Sequence, residues 1–168
     1  FTYQEFSPYD DQILNIALNA TYRQVYGNFY PMESERPIDL ERRLRNGDIT
    51  IRELVRNLAK SPFYIKSYYL SVSQEKSIYF CIKHILGRPI IDHSELIKHI
   101  EIINQKGFYH YIDSLVDSLE YQEIFGEDIV PYSRNWNSPC ASRTSDFLKT
   151  TNYSKGYASS DNVMKEKR

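Results

Sequence analysis

Helix-ending signals recur along this chain at fixed intervals, and the recurrence restricts the fold more than any other feature. Gly27 in "QVYGN" and Gly87 in "HILGR" lie 60 residues apart, as do Gly47 in "RNGD" and Gly107 in "QKGF". "SPFY" at 61–64 is echoed by "SLEY" at 118–121, a spacing of 57. Doubling of this kind predicts two related units that bury their apolar faces against each other within one domain. Between the signals the apolar residues keep a helical period. Leu14, Leu18, Tyr22 and Val25 form one stripe in a segment opened by Asp10 and Asp11 and closed by Gly27.

Capping chemistry places the other boundaries. A short helix, "DLERRLRN", stops at Gly47, and Thr50 with Glu53 reads as a capping box for a helix whose apolar face is Leu54, Val55 and Leu58. Ser61 followed by Pro62 is a cap and an N1 proline, restarting a helix through "FYIKSYYL". Ile78, Ile82 and Ile85 share the face of a helix ended by Gly87; Asp92 with Glu95 caps the next, which runs to Gly107. One last helix, "FYHYIDSLVDSLEYQEIFG", is expected to turn Tyr111, Ile112, Leu115 and Leu119 to the core. With no strand alternation the expected class is all-α, a single domain of about six to seven helices over residues 10–128. Residues 129–168 lose the period and gain Ser, Asn, Thr and Pro, yet keep Tyr132, Trp136, Phe147, Tyr153 and Tyr157. An irregular segment that retains its aromatics reads as an extended arm that docks on its own domain or on a partner.

The stretch "CIKHILGRPIIDHSELIKHI", residues 81–100, holds the residue types an active site would use. Its histidines form no H-E-x-x-H array and neither cysteine belongs to a C-x-x-C pair, so no metal site is expected. Cys81, within "YFCIKHIL", reads as a small buried hydrophobe rather than a thiolate paired with His84. His84 lies near the Gly87 helix end, where an imidazolium would favour the dipole. The stretch is therefore expected to be the joint between the two units, with no catalytic residue. Asp113, Asp117 and Glu120, at i, i+4 and i+7, read as a solvated face. Phosphate-cradling glycine loops are absent. Lys plus Arg (21) balance Asp plus Glu (22), which argues against a generic grip on nucleic acid, and no apolar run is long enough to span a membrane. Two cysteines in unlike surroundings suggest free thiols in a reducing compartment.

What remains is surface for a protein partner. Arg36, Arg42, Arg43, Arg45, Arg52 and Arg56 alternate with acids, a pattern that suits salt-bridged helices or a patch complementary to one specific protein. An excess of tyrosine, 15 against one tryptophan, suits surfaces that are wet when free and buried when bound.

Taken together, "MESERPIDLERRLRNGDITIRELVRNLAKSPFY", "KHILGR", "KGFYHYIDSLVDSLEYQEIFGEDIVPYSR" and "KGYASSDN" resemble the phycobilisome linker domain family from about Asp10 to Asn162. The resemblance implies a non-enzymatic linker seated in the central cavity of phycobiliprotein trimers and hexamers, where it organises rod or core assembly and tunes energy transfer among bilins. It implies as partners the alpha and beta subunits of allophycocyanin, phycocyanin or phycoerythrin, together with other linkers. The phycocyanobilin or phycoerythrobilin contacted would belong to those subunits. By the same resemblance Arg42, Arg43, Arg45, Arg52 and Arg56 lie on a charged docking surface, and Tyr132, Arg134, Trp136, Arg143, Phe147 and Tyr157 on the arm. The net charge of −1 departs from the basic members of the family. Cys140 is a better thioether candidate than Cys81, but no covalent pigment is expected. The Ile, Lys, Asn and Tyr bias and the start without Met suggest a piece of a longer plastid-encoded protein, nearer the core-membrane linker than a rod or rod-core linker. Its place would be a peripheral complex on the stromal side of the thylakoid, or in the cyanobacterial equivalent. The competing reading is a general α-helical adaptor unrelated to pigments.

Overall fold

Side-chain caps start most of the helices and left-handed glycines end several. In the computed structural model, which describes residues 11–27, 31–32 and 36–134, the helices are α1 (Asp11–Tyr26), α2 (Ile38–Arg45), α3 (Ile51–Ala59), α4 (Pro62–Ile65), α5 (Gln74–Cys81), α6 (His93–Lys106), α7 (Phe108–Val116) and α8 (Leu119–Ile124). α4 and α5 each run on into a π-turn, Lys66–Leu70 and Ile82–Leu86. Thr50, Ser61 and Asp92 cap as expected, each side-chain oxygen accepting the N–H three residues on (Glu53, Tyr64 and Glu95). Glu95 returns the favour: its carboxylate accepts from the Ile91 N–H at 2.7 Å. Gly27 (φ +58°) and Gly87 (φ +71°) close α1 and the π-turn of α5. No β-strand occurs among the described residues, and the class is all-α.

The doubling is real in three dimensions. The buried face of α3 is Ile51, Leu54, Val55, Leu58 and Ala59, and the buried face of α7 is Phe108, Tyr111, Ile112, Leu115 and Val116, each 57 residues further on. These two helices pack together at the centre. Arg56 bridges to Asp113, its own counterpart, at 2.8 Å. Lys60 reaches Asp113 while Arg56 reaches Asp117, the counterpart of Lys60, both at 2.6 Å. A contact from i to j′ matched by one from j to i′ is the mark of an approximate two-fold axis. α1–α4 and α5–α8 are therefore related halves, joined at Ser71–Ser73. Residues 81–100 are not that joint; they turn the chain from α5 to α6 inside the second half.

The closing helix differs from expectation as well. It is two helices, because Ser118 takes an extended conformation (φ −64°, ψ 147°) and its Oγ accepts from the Tyr121 N–H at 3.2 Å while donating to the Leu115 carbonyl at 2.7 Å. The restart changes the phase of the pattern. Leu119, which would follow Leu115 in an unbroken helix, is 76% exposed, and Tyr121 and Phe125 fill the core instead. Ser118 thus repeats the work of Ser61, and Tyr121 that of Tyr64.

Candidate functional site

α2 carries the outward charge of the first half. Its inner side is fixed by buried Leu44 and by Glu41, which accepts from the Tyr22 hydroxyl at 2.7 Å and pairs with Arg36 at 2.8 Å. Anchoring from below leaves Arg42, Arg43 and Arg45 on the exposed side. Arg42 meets Asp39 only at 3.8 Å, with both side chains largely in water, a pair of little energetic weight. In the second half, the positions 60 further on hold Ile102, Ile103 and Gln105, so the approximate symmetry is broken in charge here.

Arg52 and Arg56 sit differently. Arg52 pairs with Glu127 and, at 2.7 Å, with Asp117; Arg56 pairs with Glu53, Asp113 and Asp117. Both side chains are mostly covered, 13% and 17% exposed, and they stitch α3 to α7 within the chain. Of the acids expected to form a solvated face, Asp113 and Asp117 are the other side of that stitching, and Glu120 pairs elsewhere, with Arg88 and Arg134. The Arg56 hydrogen bond beside Asp117 holds its carboxyl below the usual range, and Lys60 and Arg56 do the same for Asp113 against the opposing effect of burial.

A second ionic cluster was not foreseen. Arg88 bridges Glu95 at 2.6 Å and Glu120 at 2.7 Å, and Arg134 joins Glu120 at 2.6 Å. Burial works against ionisation of Glu95, but His99 and Arg88 beside it and the Ile91 N–H hold its carboxyl down at about 2. The only trace of this cluster in the sequence is that residues 113–128 hold six acids without a Lys or Arg, so their partners had to come from other segments. Tyr132 is half-buried, its ring edge-on to Phe125 at 5.3 Å. Trp136, Arg143, Phe147 and Tyr157 lie outside the described residues, as does Cys140.

The active-site-like residues have no such chemistry. Cys81 is fully buried, and burial pushes its thiol up to about 12. His84 is also buried; burial, with Lys83 adding to it, brings its pKa down to about 3, so the imidazole is neutral and not the imidazolium expected at the helix end. Its Nδ1 meets the Tyr64 hydroxyl at 3.2 Å. Both residues are packing residues of the π-turn region. There Gln24 donates to the Lys83 and His84 carbonyls and Tyr68 to the Tyr26 carbonyl. Among the described residues no group of His, Cys, Asp or Glu is arranged to hold a metal ion, and no helix is long and apolar enough to cross a membrane. What the surface offers is a basic helix face, with ionic stitching behind it that keeps its shape.

This all-α, two-unit chain matches the phycobilisome linker polypeptide family over residues 9–134. It belongs to that family. Among its relatives, the 32.1 kDa phycocyanin-associated rod linker polypeptide of Mastigocladus laminosus is 42% identical over 89% of this chain and 52% of its own length. Rod linker 1 of Synechocystis, also phycocyanin-associated, is 43% identical over 90% and 52%. The class 2 phycoerythrin gamma subunit of a Synechococcus, described as a linker polypeptide, is 41% identical over 87% and 50%. The chain thus spans about half the length of these relatives.

Proposed function

We propose that this chain is the linker domain of a rod linker, seated in the central cavity of phycobiliprotein trimers or hexamers and setting their order in the antenna. The observation that carries this is the family match together with relatives named for phycocyanin-associated rods and for phycoerythrin. Those names favour a rod position over the core-membrane position that the residue bias suggested. The partners are the alpha and beta subunits of phycocyanin or phycoerythrin, and the complex lies against the thylakoid surface, in a plastid or a cyanobacterium. The domain acts by binding, with no reaction of its own. Arg42, Arg43 and Arg45 supply the docking charge. Arg52 and Arg56, being engaged internally, contribute by holding α3 and α7 in place rather than by direct contact. The arm from Tyr132 and Arg134 through Trp136, Arg143, Phe147 and Tyr157 extends the contact and brings aromatic groups to the partner's bilins, phycocyanobilin or phycoerythrobilin, with no pigment bound to this chain.

Mixing the purified chain with phycocyanin or phycoerythrin trimers and recording sedimentation with fluorescence emission tests the proposal. Larger assemblies with shifted emission are expected. Trimers unchanged in both would overturn it and leave a general helical adaptor as the better reading. Arg42→Glu with Arg43→Glu is expected to weaken the complex and flatten its salt dependence.

A further inference from the structure

The residues after α8 are laid across the end of α5. A Cβ built on Gly87 would lie 2.0 Å from the Tyr132 carbonyl oxygen and 3.1 Å from its carbon, so only glycine permits the approach. Gly27, its counterpart in the first half, would meet only the ends of the Tyr68 and His84 side chains. Arg134 completes the crossing. Its N–H donates to the Gly87 carbonyl at 2.7 Å, and its guanidinium reaches the Leu86 carbonyl at 3.4 Å and Glu120 at 2.6 Å. Glu120 also binds Arg88, which ties in turn to Glu95 on α6. One carboxylate on α8 therefore joins a cation of the helical body to a cation of the crossing segment. Val130 and Pro131 are buried beneath, and the Tyr132 ring rests on Phe125.

We propose that Gly87 and Val130–Arg134 form a clasp, seat and strap, which fixes the direction in which the chain leaves the helical body before any partner binds. Segments ordered in advance bring a smaller entropy cost to association than segments ordered on contact.

Hydrogen exchange on the free chain tests it. The Arg134 amide is expected to exchange at least about a hundredfold more slowly than in an unstructured peptide. Gly87→Ala is expected to remove that protection while the amides of α6 and α7 keep theirs. Should that variant fail to fold, Arg134→Ala changes only a side chain at the domain surface. It is expected to speed strap exchange roughly tenfold with helical content unchanged. An Arg134 amide exchanging at the peptide rate in the unaltered chain, or protection that survives Arg134→Ala in full, overturns the clasp. Direction has its own readout: spin labels on Ser133→Cys and Lys98→Cys, both exposed positions, in a Cys140→Ser background. A narrow distance distribution that broadens with Arg134→Ala is expected; a broad one from the outset overturns the fixed direction.

Discussion

His84 shows how burial converts a titratable residue into a stability term. Its pKa is about 3 when folded and about 6.5 in an unfolded chain, so the unfolded state binds the proton first. A depressed folded pKa means that the stabilisation is complete above pH 6.5 and is lost as pH falls toward 3. Between pH 7 and pH 5 the chain should lose about 2 kcal/mol from this residue alone, before the paired carboxylates titrate. Urea melts of the parent and of His84→Phe at those two pH values check this: the parent should weaken on acidification, and the variant should lose that part of the slope. Cys81 gives a second residue-scale expectation. With its thiol buried and pushed up to about 12, it should resist a thiol reagent in the folded chain and react only under denaturing conditions. Fast labelling of Cys81 in native buffer would contradict its packing role. The sequence made the thiol legible as a buried hydrophobe. It did not make the imidazole legible as neutral, because that depends on Tyr64 and the π-turn closing over it.

At the scale of elements, the break between α7 and α8 decides which side chains reach the core. Ser118→Ala removes one bond to the Tyr121 N–H and one to the Leu115 carbonyl, and should cost about 1 kcal/mol, as should Ser61→Ala at the equivalent cap. The phase change makes a sharper contrast. Leu119→Ala should alter stability by less than about 0.5 kcal/mol, whereas Tyr121→Ala, emptying a fully buried site, should cost about 3–5 kcal/mol. Chemical denaturation of the two variants distinguishes the broken helix from a continuous one, for which the ranking would reverse. "DSLEY" contained this signal, a serine three residues before a tyrosine in the same arrangement as "SPFY". The apolar spacing of Leu115 and Leu119 outweighed it in a reading based on period alone, since Leu119 fits the stripe equally well.

For the whole molecule, the two halves are held by an apolar face and by reciprocal ion pairs around it. Arg56→Ala removes the mostly covered cation shared by Asp113 and Asp117, which keep Lys60 and Arg52, and should destabilise the chain by about 1 kcal/mol. A double-mutant cycle with Asp113→Ala should return a coupling of about 1 kcal/mol, smaller in high salt. Arg42→Ala and Arg43→Ala should leave stability within about 0.5 kcal/mol, because these side chains lie in water. The pair of results separates the two sets of arginines. One set holds α3 against α7, and the other lies in water.

The sequence by itself determined most of the helices, their caps, the doubling and the family, because these rest on interactions among residues near in the chain and on spacing that repeats. Thr50, Ser61 and Asp92 act within a turn of themselves, as do Gly27 and Gly87 in ending their helices, so these roles survive without knowledge of neighbours; the seat that Gly87 offers to Tyr132 does not. Only the tertiary structure decided which charges face water. Arg42 and Arg52 look alike in one dimension, yet Arg42 lies on the outward side of α2 while α3 lies against α7, so Arg52 meets Asp117 and Glu127 across gaps of 65 and 75 residues. Glu120 binding Arg88 and Arg134 is the same case. Long-range ion pairs require two segments to be brought together first, and no local pattern specifies which they will be.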